Sequence, residues 1–521
     1  MMSSRLRFPV AATATVCLGF LATVGASGAG AATVGRQPAF DPRPGSAGIG
    51  DRLYPTLGNG GYDARHYDLS VRYASSDPAS GIDGTVTLKA KATQDLSSFD
   101  LDFSGDAVGG VTVDGKPATF SRVGEELVIT PARALYRGET FRVTVSHFTA
   151  RPTVANPDQL LSTVFFITPD GSATSGQPNA MHAVYPSNDH PRDKASFTIE
   201  MNVPTGETAV ANGVLKSTKS TGDGRTTWTY EQRQPMATEL TQLAAGKFTV
   251  IDQGDVNGVP VRDVVPTRLV DEYRSRLAVS RSQITWMQKQ VRKYPFDLYG
   301  SLVVDTELGF ALETQTLSLY DTPWWTYPQS VWEPVMTHEL AHQWFGDDVA
   351  PWEWSDVWLN EGHATWYELL YAADRGMLPG SFDDTMKGLY RDANSERAEN
   401  GPVAQPLSGD VYDVFNSNVY GGGALVLYAL RQKIGTPDFV KLERAWTKKY
   451  SGESASTADF IALASKVSGQ DLSVFLQDWL YGTTVPPMPG HPDWVAADPG
   501  TSITQKSLPD GITQLGRAAR R

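Results

Sequence analysis

The sequence predicts a two-part α+β protein, an N-terminal domain of antiparallel β-strands followed by a mostly helical domain. Three observations carry this. From Tyr67 to about Val250, short segments alternate polar and apolar residues, as in Tyr67-Asp68-Leu69-Ser70-Val71-Arg72-Tyr73, Thr85–Ala90 and Phe141–Val145, the period-2 pattern of half-buried strands. From about Asp263 the apolar period becomes helical, beginning with Leu269, Tyr273, Leu277, Ile284, Met287 and Val291. Within that second part, His338, Glu339 and His342 form a His-Glu-x-x-His motif, which ties the helical domain to metal chemistry.

Taken in order, residues 1–31 read as a signal peptide. Arg5 and Arg7 precede the apolar run Phe8–Val24, and small residues end in Ala29-Gly30-Ala31. The run is short and interrupted by Thr13, Thr15 and Thr23, so stable membrane insertion is not expected. Ala14 stands where a lipoprotein signal has a leucine-like residue before its cysteine, here Cys17. The expectation is a secreted or otherwise exported protein, extracellular or periplasmic. Cys17 is the single cysteine, so a processed chain has no disulfides.

Residues 32–60, rich in Gly and Pro, form a leader, and 61–253 form the all-β domain, with turns at Asp114-Gly115, Asp170-Gly171 and Asn212-Gly213. Residues 254–485 form the helical domain. Helical patterns occur at 268–292, 332–345, 357–373, 423–434 and 457–467, and Ser301–Val304 reads as a strand. The tail 486–521 carries no clear element. The 521 residues are 40% hydrophobic, enough to build cores. A formal charge of −13 with no Lys/Arg-rich run argues against a nucleic-acid partner.

The chemistry centres on Val335–Gly346. Four helical residues turn through about 400°, so His338 and His342 share a face and reach one Zn²⁺ at about 2.0–2.1 Å each. Glu339 lies beside them, suited to contact an attacking water. Pro334 is read as part of the first helical turn and Gly346 as the helix end. Eighteen residues after His342 comes Glu361, in Trp358-Leu359-Asn360-Glu361-Gly362-His363. Ser355 or Asp356 is read as the cap of this second helix, which sets Glu361 on its first turn or two. A His₂Glu set leaves the fourth zinc position open, as a catalytic site requires. His363 points about 200° away from Glu361 and is read as a neighbour.

At these residues the chain resembles the gluzincin aminopeptidases of the M1 family, in a short, exported, two-domain form. The matching surroundings are Gln343-Trp344-Phe345-Gly346, Trp358-Leu359-Asn360-Glu361-Gly362, and upstream Tyr185-Pro186, Asp189-His190-Pro191 and Lys194–Phe197, with Ser187 where the family has Cys. The resemblance covers about 60–485. It implies a saddle-like β domain, a thermolysin-like catalytic domain, one Zn²⁺ per chain held by His338, His342 and Glu361, and Glu339 as general base. Phe310-Ala311-Leu312-Glu313-Thr314 stands where the family has Gly-x-Met-Glu-Asn. It implies Glu313 as anchor of the substrate's α-amino group and Ala311 as a backbone contact, with Phe310, Leu312 and Thr314 as departures. Tyr420-Gly421-Gly422-Gly423-Ala424 resembles Tyr-x-Lys-Gly-Ala, implying Tyr420 as the oxyanion donor, with Gly422 in place of Lys. Gln177 matches a position beside the substrate's first residue.

The implied function is removal of N-terminal residues from peptides with a free N-terminus. The alternatives are a zinc endopeptidase of the same chemistry and, more remotely, a catalytically silent binding protein. Larger family members add a helical C-terminal domain that closes over the cleft. The 36 residues after Val485 are too few for it, so a more open cleft is expected.

Overall fold

The computed structural model describes residues 40–154, 164–409 and 412–499, so the segment read as a signal peptide lies outside the described residues. The N-terminal half is built on an eight-stranded sheet. Its long strands are β1 (Tyr62–Tyr73), β2 (Ile82–Ala92), β3 (Thr140–Ala150), β4 (Ala195–Pro204) and β5 (Arg225–Met236). They lie in the order β5, β4, β1, β2, β3, edged by Val214–Ser220 on one side and by Gly110–Val113 and Lys116–Pro117 on the other.

Every pairing in this sheet is antiparallel except one. β1 and β4 run parallel, with Tyr67 opposite Phe197 and Val71 opposite Met201. Local alternation does not reveal strand direction, and a parallel pair needs a long crossover, here the whole stretch between Tyr73 and Ala195. The sheet's inner face buries Leu69, Val71, Val86, Leu88, Val143, Val145 and Ile199, each worth about 1.5–3 kcal/mol on leaving water. A smaller sheet contains Phe165–Thr168, Gly171–Thr174, Thr208–Ala211 and Leu243–Gly246, and its strand Gly171–Thr174 leads directly to Gln177.

The second half begins with a mixed sheet ordered β6 (Phe248–Val256), β7 (Val259–Pro266), β8 (Ser301–Val304), β9 (Ser318–Asp321). The expected boundary at 253/254 falls inside β6, which pairs along β7, with Ile251 opposite Asp263. Leu312 then bridges antiparallel to Leu319, laying residues 311–313 along the edge of β9.

Nine α-helices follow among the described residues. The stretch 268–292 is two helices, α1 (Val270–Leu277) and α2 (Ser280–Gln290), broken at Ala278-Val279. α3 (Gln329–His342) and α4 (Trp358–Asp374) carry the two zinc motifs. α5 (Phe382–Asn400), α6 (Gly423–Ile434), α7 (Thr436–Lys449), α8 (Thr457–Ser468) and α9 (Ser473–Tyr481) pack around them.

Two local expectations are corrected. Pro334 is the sixth residue of α3, not in its first turn, because the helix starts earlier, after Pro328. Ser355 and Asp356 do not cap α4. They lie in a separate 3₁₀ turn, Trp354–Asp356, where Glu353 and Asp356 form a capping box, and α4 follows at once from Val357.

The described parts of the leader and the tail are packed. Arg43–Pro44 pairs with Leu96–Asp102, Tyr54 and Leu57 enter the helical half's core, and Asp51 is buried. Met488 and Trp494 are buried, and the Ala497 N–H donates to Arg391 O. No helix among the described residues is long and apolar enough to cross a membrane.

Candidate active site

α3 and α4 pack side by side and bring three expected ligands together. The His338 Nε2 lies 3.1 Å and the His342 Nε2 3.3 Å from the same Glu361 Oε2. All three side chains are buried. Glu361 sits in the first turn of α4, where the helix dipole favours a carboxylate. Both histidines are held from behind. His338 Nδ1 meets the Glu368 carboxylate at 3.0 Å, and His342 Nδ1 meets the Phe345 carbonyl at 3.1 Å. Those contacts fix the tautomer that turns both Nε2 atoms inward.

Glu368 was missed by sequence reasoning, although its signal was present: it lies seven residues after Glu361 on one helix, two turns along the same face. His363 is a neighbour, as expected. Its Nδ1 meets Leu359 O at 2.7 Å and its ring stacks on Phe345 at 4.4 Å.

Glu339 is buried and accepts no hydrogen bond from a described residue. One carboxylate oxygen lies within 4.8 Å of ligand-type atoms of Glu313 and His342. Glu313 comes from the edge of β9. Its Oε1 accepts from Gln177 Nε2 at 2.7 Å and stands 4.0 Å from His342 Nδ1. Gln177 thus reaches the site from the N-terminal half.

Gln343 is the second residue whose role sequence reasoning missed. Its Nε2 donates to Glu313 O at 3.1 Å, and its Oε1 accepts from Thr316 N and Tyr294 OH. It therefore ties the end of the zinc helix to the Glu313 segment. Leu312 bonds Leu319 through both backbone groups, so Ala311 turns its own N–H and C=O to the opposite side.

Tyr420 lies on a π-helical turn, Asn418–Gly422, just before α6. Its ring stacks on His338 with centroids 5.9 Å apart. The turn is brought in by a close helix approach. A Cβ on Gly423 would meet Gly362 Cα of α4 at 2.7 Å, so only glycines fit there. Gly422, at the position of the family lysine, is crowded by the Asn418 side chain.

The departures from the family motif point inward. Leu312 is in the core under β8 and β9, Thr314 Oγ1 bonds to Leu317 O, and Phe310 packs against both neighbouring cores. They leave the Glu313 carboxylate facing the site.

Burial opposes charge on Glu361, but the His342 and His338 rings overcome it and hold the carboxyl at about 2. Burial pushes Glu339 up to about 8 against the attraction of the same rings. Burial, then the charges of Glu361 and Glu313, raises the Tyr420 phenol well above its ordinary value. Four buried carboxylates, Glu313, Glu339, Glu361 and Glu368, thus face two imidazoles, an acidic set that a dication and an ammonium together largely offset. Two imidazole nitrogens and one carboxylate with an adjacent free acid fit zinc and an open coordination position.

Two family descriptions match the chain, the Peptidase M1 N-terminal domain over residues 63–240 and the Peptidase family M1 domain over 277–479. "Aminopeptidase M1" of Arabidopsis thaliana is 25% identical over 325 residues, 59% of this chain and 36% of that protein. "Leucyl aminopeptidase" of Saccharolobus solfataricus is 28% identical over 348 residues, 62% of this chain and 42% of that protein. The chain thus spans well under half the length of these curated relatives. Among solved structures, an M1 zinc metallopeptidase from Deinococcus radiodurans aligns with TM-score 0.74 and 28% identity, over 85% of this chain and 99% of that one. A mutant of that metallopeptidase bound to a Tyr-Ser-Ala substrate aligns with TM-score 0.73 and 28% identity, over 85% of this chain and 100% of that one.

Proposed function

Because the chain belongs to peptidase family M1, we propose that it is an exported zinc metallo-aminopeptidase that removes residues from the free N-terminus of peptides. The observation that carries this is the carboxylate of Glu313, braced by Gln177 and 4.0 Å from the ring of the zinc-ligand residue His342. An anchor for an ammonium at that range fixes the first peptide bond, and no other, at the reacting centre. The Tyr-Ser-Ala complex of the Deinococcus relative supports peptides as the substrate class. Export rests on the composition of residues 1–31.

His338, His342 and Glu361 would hold the metal. When bound, zinc supplies Lewis-acid polarisation of the scissile carbonyl and acidifies the attacking water. Glu339 takes a proton from that water as its oxygen bonds to the carbonyl carbon, then delivers the proton to the amide nitrogen as the C–N bond breaks. The Tyr420 hydroxyl donates to the carbonyl oxygen as negative charge develops there, an interaction strongest in the transition state. Glu313 and Gln177 hold the α-ammonium throughout, and the backbone of Ala311 flanks the substrate strand.

An endopeptidase reading needs the Glu313 anchor to be lost, and the inward packing of Phe310, Leu312 and Thr314 argues against that. The test is one peptide in N-terminally free and N-acetylated forms, followed by mass spectrometry with and without a chelator. Stepwise, chelator-sensitive loss of single residues from the free form alone is expected. Internal cleavage of both forms would move the assignment to an endopeptidase, and no cleavage of either would support a silent scaffold.

A further inference from the structure

Tyr420 reaches the metal ligands from an irregular stretch of backbone, and we propose that Asn418, on the same turn, is the positioning residue that sets where its hydroxyl stands. This rests on the zinc-peptidase reading above. The π-helical turn Asn418–Gly422 runs directly into α6. Turns of this kind are rare and persist where their surroundings hold them. Two braces come from ahead of it. Asn416 Oδ1 accepts from Asn418 N and Val419 N, both at 3.0 Å, and Ser417 Oγ donates to Glu396 Oε2 of α5. On its far side the turn is fixed by the contact of Gly423 with Gly362 of α4.

The third brace spans the turn itself. Asn418 is buried, and its Nδ2 donates at 2.7 Å to Gly401 O, just past the end of α5. Its Oδ1 is buried without a hydrogen-bond partner among the described residues. A buried amide left half satisfied is costly, so its place calls for a reason. The reason is Gly422. A Cβ there would collide with Asn418 Oδ1 and approach Val403 Cγ2 to 3.2 Å, so the amide fills the room that the absent side chain leaves. Asn418 and Gly422 are two halves of one contact, with Tyr420 midway between them. A side chain at 422 would push the amide off Gly401 O. Loss of the amide would let the turn relax toward an ordinary α-helix, and one residue of register is about 100° of rotation. Either change swings the phenol away from His338, on which it now stacks. The zinc ligands stand on α3 and α4, outside this turn, and are untouched by it.

The test follows release of the first residue from a free peptide by the full-length, zinc-loaded protein, with bound zinc per chain read by atomic absorption. Asn418→Ala is expected to lower kcat by about 10–100-fold, the cost of a catalytic group misplaced by about 1 Å, while KM and bound zinc stay unchanged. Gly422→Ala should do the same. The double variant should be no worse than the poorer single one, because both changes break one contact. The deciding background is Tyr420→Phe. With the hydroxyl gone there is nothing left to position, so adding Asn418→Ala should alter the residual kcat by less than about twofold. An equal loss of kcat with and without the hydroxyl, or a loss of bound zinc, would mean a merely structural role and overturn this proposal alone. Wild-type kcat in Asn418→Ala would overturn it too. A wild type that binds no zinc and releases no residue overturns the catalytic reading with it.

Discussion

Glu339 and Glu368 are both buried carboxylates of the site, yet their partners differ: Glu339 lies with Glu313 and His342, whereas Glu368 meets His338 Nδ1 behind the ligand. Glu339→Gln is expected to keep the bound zinc while turnover falls by about 10²–10⁴-fold, the usual contribution of a general base. Comparable activity in that variant would remove the base assignment. Glu368→Gln should do the reverse, weakening zinc by about 10–100-fold because a neutral amide replaces the carboxylate charge behind the His338 ring. Its measure is zinc retention against a competing chelator, and unchanged retention would count against a supporting role. At this scale the sequence was legible where residues repeat a spacing. His338 and His342 share a face four residues apart, and Glu361 follows in a recognisable setting. Gln343 was opaque because a buried amide announces neither its partner nor its direction; its link to Glu313 exists only once α3 lies against β9.

Helices and strands were legible in proportion to the contrast of their faces. α4, α6 and α8 stood out, whereas α5 carries long polar runs and α7 and α9 follow their predecessors after very short connections. The break between α1 and α2 contains no glycine or proline, so the pattern there reads as continuous. β7 offers a test at this scale. Asp263 is buried on it, accepts from Ser301 N and Gln253 Nε2, and is raised by burial from an ordinary 3.8 to about 7. A carboxyl raised in the folded state contributes stability that is full below about pH 4 and is lost as pH climbs to about 7. Asp263→Asn takes up no proton, and Gln253 can turn its amide to receive the new N–H. Thermal unfolding at pH 5 and pH 8 should therefore separate less for the variant than for the wild type. Equal separations would refute the assignment.

Across the whole molecule the leader joins the two halves. Asp51 accepts from Leu53 N, Tyr54 N and Trp354 N, and its carboxylate meets His190 Nε2 at 3.1 Å. Trp354 belongs to the turn ahead of α4, and His190 to the loop before β4. Asp51→Asn puts an amide hydrogen against the Trp354 N–H and is expected to cost about 1–3 kcal/mol, read as a lower Tm with the metal site intact. An unchanged Tm would mean the joint contributes little. The joint was not visible in a Gly/Pro-rich segment, because His190 and Trp354 lie more than a hundred residues away from Asp51.

The parallel pairing of β1 with β4 sets an order of events during synthesis. β1 can gain β2 soon after it leaves the ribosome, but its other edge stays open until more than a hundred further residues have been made. Over that interval the nascent sheet presents a strand of unpaired backbone groups lined by Tyr67, Leu69 and Val71, a template for wrong pairing. Chains stalled or cut short before Ala195 should therefore aggregate, whereas those that reach Pro204 can close the sheet at its centre.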